Sequence, residues 1–117
     1  MCDELQKMGD ILACYAVNKD GRLLGASYGE MKLDEKLKAD LSHIASGVWV
    51  GLERITNLGL LRSVEVIYEN FKILGLAIQR TNVAILLTVE VKLDSYVLKE
   101  RVLDFVSYWL KVNHYIE

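Results

Sequence analysis

The sequence predicts an α/β/α sandwich: a five-stranded antiparallel sheet with helices on both faces, in the order α-β-β-α-β-β-β-α. Three observations carry that expectation. Residues 63–69 alternate, with Val64, Val66 and Tyr68 on one face and Ser63, Glu65, Ile67 and Glu69 on the other, the period of a strand wetter on one side. Residues 73–78 and 83–89 are apolar at both parities, as strands are when both faces of the sheet are covered. Two longer stretches repeat apolar residues at steps of three and four, the spacing of amphipathic helices able to do the covering.

Taken in order, residues 3–9 place Leu5 and Met8 three apart after an acidic start, enough for a short helix. Residues 11–17 form an apolar strand that ends in Asn18-Lys19-Asp20-Gly21, a turn signal, and 22–28 return as its hairpin partner. Gly21, Gly25 and Gly29 are evenly spaced, but a phosphate loop needs a Gly-rich backbone running into a helix, with a lysine and a hydroxyl, and no such motif follows. The first long helix opens on Asp34 as its cap and carries Leu37, Leu41, Ile44, Val48, Leu52 and Ile55, with Asn57 and Gly59 as its stop. The three-stranded meander turns at Asn70 and at Thr81 and Asn82, which puts its first strand, with Glu65 and Glu69, at an edge. Asp94 or Ser95 opens the last helix, whose apolar face is Leu98, Val102, Phe105, Val106, Trp109 and Val112. It closes the sheet face that the first long helix leaves open.

At 117 residues, 52% of them hydrophobic and 26% charged, the chain is expected to be one domain over residues 1–117 with a core of its own. A net charge of −2 with no basic stripe argues against nucleic acid as a partner. No apolar run approaches the roughly 20 residues of a membrane span, and the charged start MCDELQKMGD is not a signal peptide, so a cytoplasmic protein is expected. Cys2 and Cys14 have neither metal-type nor redox-type spacing and are read as reduced thiols. Proline is absent, so connections rest on Gly, Asn and Asp turns.

No constellation for catalysis stands out, and no catalytic residue, metal ligand or cofactor is expected. His43 falls on the polar side of the long helix and His114 near the C-terminus, neither with a neighbour at ligand or triad spacing. Cys14 lies between Ala13 and Tyr15 as a small buried hydrophobe rather than a nucleophile. Glu65 and Glu69 form one row along a strand, not a converging pair, and of Tyr108, Trp109 and Tyr115 the indole is in core register. The unexplained residues are on the long helix. Gly47 and Gly51 each cost about 1 kcal/mol relative to alanine in mid-helix, which points to a close approach by something else. Val50 points away from the main stripe, with Trp49 on its shoulder, marking a second surface.

The run NLGLLRSVEVIYENFKILGLAIQRTNVAILLTVE, with the upstream hairpin AVNKDGRLLGAS, resembles the roadblock domains of the dynein light-chain and GTPase-regulator superfamily. The shared features are NKDG before an apolar strand, an Ile-Tyr-Glu-Asn turn, and Thr-Asn before a very apolar last strand; the element order matches along essentially the whole chain. The resemblance implies a profilin-like α/β/α module that dimerises side by side, its edge strand pairing with a twin and its long helices lying over the junction. On this chain the implied pairing strand is 61–69, with Ser63, Glu65, Ile67 and Glu69, and the implied helix contact is Gly47, Val50, Gly51 and Arg54. Ser46, Trp49 and Glu53 are the candidate contacts to a further partner. That partner, by resemblance, is a small Ras-like GTPase whose nucleotide cycle a non-enzymatic homodimer scaffolds or regulates. The alternative is a profilin-like or PAS-like small-molecule sensor, which requires a sizeable cavity between sheet and helix.

Overall fold

A computed structural model describes residues 2–7, 10–18, 20–29, 35–55, 57–78 and 81–112. Along the chain these form α1 (Cys2–Gln6), β1 (Ala13–Asn18), β2 (Leu23–Tyr28), α2 (Glu35–Glu53), β3 (Ser63–Ile67), β4 (Phe71–Ala77), β5 (Val83–Glu90) and α3 (Ser95–Val112). The strands make one sheet in the order β2-β1-β5-β4-β3, antiparallel at every pairing. The expected element order and fold class are those observed. Met8, the proposed cap Asp34, His114 and Tyr115 lie outside the described residues.

Each turn is built by the chemistry its residues offer. The Asn18 side-chain carbonyl accepts from the N–H groups of Asp20 at 3.0 Å and Arg22 at 2.9 Å, and Gly21 adopts a φ of 80°, so the β1–β2 connection uses both an Asx bond and a left-handed glycine. Between β4 and β5 the Thr81 hydroxyl donates to the Ile78 carbonyl at 2.9 Å and accepts from Val83 N–H at 3.1 Å. The Asp94 carboxylate accepts from Val97 N–H at 3.0 Å, an N-cap for α3.

The central strands divide the core into two layers. On one face Cys14, Ala16, Leu74, Leu76, Ile85, Leu87 and Val89 pack with Leu5 of α1 and with Leu98, Val102, Val106 and Leu110 of α3. Burial of each of those α3 side chains stabilises by about 1.5–3 kcal/mol. On the other face Tyr15, Val17, Ile73 and Leu86 pack with Trp49 of α2, and Leu41, Ile44, Val64 and Val66 join them half-buried. Lys72 interrupts the apolar run of β4, yet it is buried: its ammonium donates to the Leu93 carbonyl and the Ser95 hydroxyl, each at 2.5 Å, tying β4 to the start of α3.

Four expectations at element ends are corrected. The first long helix stops at Glu53, where the last turn tightens as Ile55 N–H donates to the Leu52 carbonyl at 3.2 Å; Asn57 and Gly59 lie in the following loop, and Ile55 is exposed. Val112, at the last position of α3, is exposed, while Leu110 takes the core position. Tyr68 is exposed because β3 ends at Ile67, and the chain turns as Tyr68 N–H donates to the Phe71 carbonyl at 2.8 Å. Glu69 is therefore in the turn, not on the edge strand.

A candidate interaction surface on α2 and the β3 edge

Helix α2 lies over the sheet with Trp49 as its anchor. The indole is 1% exposed and rests on Gly75 in β4: a Cβ built there would stand 3.2 Å from the ring. Trp49 is thus part of the core and not a partner contact, a correction to the sequence expectation; its place on the shoulder of the stripe is filled by the sheet because Gly75 makes room. Toward the β1–β2 edge, Tyr15 and Tyr28 meet edge to face at 5.7 Å, and the Lys38 ammonium of α2 sits 5.0 Å above the Tyr28 ring. Burial pushes the Tyr15 phenol above its ordinary range.

Val50 does not project freely from the outer side of α2. It is half-buried against the β1–β2 turn, where a Cβ at Gly21 would come 2.8 Å from its Cγ2. The result is an open groove lined by Ser46, Gly47, Val50, Gly51 and Arg54 from the helix end and by Asp20 and Gly21 from the turn. The groove thus gathers the helix residues singled out in the sequence. Glu53, half-buried, is outside this lining. Asp20 and Gly21 were legible only as a turn; nothing in their spacing tied them to α2. Gly47 and Gly51 are exposed, and a Cβ at either would meet nothing within 4 Å. Among the described residues nothing approaches them closely.

On β3, Val64 and Val66 turn toward α2, and Ser63, Glu65 and Ile67 are exposed on the other face, with Ile67 61% accessible. β3 pairs only with β4, from Ser63 opposite Leu76 to Ile67 opposite Lys72, so its outer backbone edge has no strand partner among the described residues.

Other chemistry is sparse. Among the described residues no group of three His, Cys, Asp or Glu is placed to hold a metal ion, and His43 is exposed on α2. Between α2 and the sheet lies a cavity of about 10 Å3, lined by Ile44, Val48, Trp49, Val64, Val66, Ile73, Gly75 and Leu86. A space of that size holds at most a water, far below the roughly 300 Å3 at which ligand pockets begin, so the sensor alternative has no chamber here. No helix of the described residues is long and apolar enough to cross a membrane.

By sequence the chain matches no family model and no curated protein. By structure it has the roadblock fold. It superposes on Myxococcus xanthus MglB with a TM-score of 0.74 at 13% identity, covering 98% of this chain and 93% of that one. A roadblock/LC7 domain from Streptomyces avermitilis gives 0.67 at 15% identity, covering 94% of each chain. MglC from Myxococcus xanthus gives 0.62 at 12% identity over 96% of this chain and 94% of that one. A further similar structure is described as MglB with a tetrameric arrangement, with a TM-score of 0.68 at 7% identity over 92% of this chain and 82% of that one.

Proposed function

We propose that the chain is one roadblock-type domain that works as a non-enzymatic homodimer, joining copies through α2 and the β3 edge to bind a small Ras-like GTPase and modulate its nucleotide cycle. The observation that carries this reading is the pair Gly47 and Gly51. Gly47 stands inside the helix, where a glycine costs about 1 kcal/mol, Gly51 follows it in the last turn, and the open surroundings of both among the described residues favour a second molecule as the body that needs the room. The exposed row Ser63, Glu65 and Ile67 beside an unpaired strand edge gives the same partner a place to extend the sheet. Arg54 lines the helix end of this contact, and Ser46 and Glu53 are left to face the GTPase. The likeness to MglB and MglC supports the GTPase reading through the family resemblance already drawn from the NKDG and Ile-Tyr-Glu-Asn segments.

The test is biochemical. Each small Ras-like GTPase of the source organism is purified, mixed with the chain, and followed for GTP hydrolysis and nucleotide release. The reading predicts that at least one forms a complex and changes in one of the two rates. Absence of both binding and any rate change across the whole set contradicts it.

A further inference from the structure

The structure brings together two residues that sequence spacing kept apart. Cys2 in α1 and Cys14 in β1 are free thiols, both buried, with Sγ atoms 3.0 Å apart. A disulfide needs about 2.05 Å, so closure asks for a movement of about 1 Å. We propose that Cys2 and Cys14 are a thiol–disulfide pair, and that oxidation fastens α1 to the sheet.

The surroundings fit a closable pair more than two inert core thiols. Cys14 donates its S–H to Cys2, which holds the Cys2 thiol below its ordinary value, while the same bond and burial push Cys14 up. Cys2 is therefore the attacking sulfur. It rides on a helix of five residues, too short to persist without its contacts. Among the described residues those contacts include Leu5 in the core, a hydrogen bond from the Gln6 amide to the Ile11 carbonyl, and, just beyond α1, an ion pair of Asp10 with Arg101 at 3.3 Å. Release of α1 exposes Cys2 to solvent, and its return places Cys2 on Cys14.

The oxidant is a small-molecule disulfide such as oxidised glutathione. Cys2 gives its proton to solvent, and its thiolate attacks the glutathione disulfide and expels one glutathione thiolate. Cys14, losing its proton, then attacks Cys2 Sγ and expels the second. Two protein thiols are oxidised and one glutathione disulfide becomes two glutathiones.

Lys7 lies between the two cysteines, so trypsin separates their peptides unless a disulfide joins them. The full chain is incubated with oxidised glutathione, denatured, alkylated and digested without reductant, alongside Cys2→Ser and Cys14→Ala. The expected result is a joined Cys2–Cys14 peptide in the unmodified sequence alone. It comes with a melting temperature raised by about 10 °C that dithiothreitol reverses. Both cysteines recovered alkylated, a glutathione adduct at Cys2 that does not resolve, or a link only between chains overturns the pair. Closure without a rise in melting temperature overturns the fastening of α1. Cys2→Ser, at the rim of the core, keeps the test interpretable if Cys14→Ala fails to fold.

Discussion

Trp49 in α2 rests its ring on Gly75 in β4, where the missing side chain leaves the indole its seat: a Cβ at Gly75 would be 3.2 Å from one ring carbon and 3.3 Å from the next. Both neighbours of Gly75 across the sheet, Val64 and Leu86, carry side chains, so the glycine is a notch in an otherwise full surface. Gly75→Val should lift the indole and destabilise the fold by about 1–3 kcal/mol. Urea unfolding followed by tryptophan fluorescence reads this directly. An unchanged midpoint means the helix does not depend on that seat.

The same contact explains what was and was not legible in the sequence. Strand periodicity is a property of consecutive residues, so Val64, Val66, the runs through β4 and β5, and the turns at Asn18–Gly21 and Thr81–Asn82 could be read directly from the sequence. The two helices had clear stripes, but their ends depended on what lay beneath them: Ile55 and Val112 continue the pattern and yet find no core. Trp49 was misassigned because helical geometry gives an angle, not a depth, and the depth is set by Gly75, twenty-six residues further along. The groove was half legible. Gly47 and Gly51 announce themselves by their cost, but the meeting of Val50 with Gly21 arises only once α2 lies over the sheet beside the first hairpin. Cys2 and Cys14 likewise meet through packing, with no spacing to announce it.

Gly21 is constrained twice, by its φ of 80° and by Val50 2.8 Å from where a Cβ would be. Gly21→Ala should therefore cost about 1–3 kcal/mol. Combining it with Val50→Ala should recover only the steric share, leaving the cost of the left-handed backbone. A double-mutant cycle by thermal or urea unfolding measures the coupling. Strict additivity would show that Val50 and the turn do not touch.

Tyr15 is buried, and its hydroxyl has no hydrogen-bond partner among the described residues. The usual cost of deleting a buried hydroxyl is then absent. Tyr15→Phe should leave stability unchanged or raise it by about 1 kcal/mol, since an unsatisfied polar group is removed and the edge-to-face contact with Tyr28 is kept. A clear loss in melting temperature would reveal a partner for that oxygen, such as an ordered water.

The assembly claim turns on the two open glycines of α2. Because a Cβ at Gly47 or Gly51 meets nothing within 4 Å among the described residues, Gly47→Gln should stabilise the isolated helix by about 0.5–1 kcal/mol, and Gly51→Gln, in the last turn, should leave it at least as stable. They should also block the approach of a second copy. These are cleaner probes than Val50→Glu, which also disturbs the Gly21 turn, and they complement Ile67→Lys on the exposed face of β3. The deciding measurement is the molar mass in solution by light scattering at micromolar concentration, for the unmodified chain and for Gly51→Gln. The account predicts twice the chain mass for the first, and a folded monomer of equal or higher melting temperature for the second. A monomeric unmodified chain, or a Gly51→Gln variant that remains fully dimeric, would contradict it.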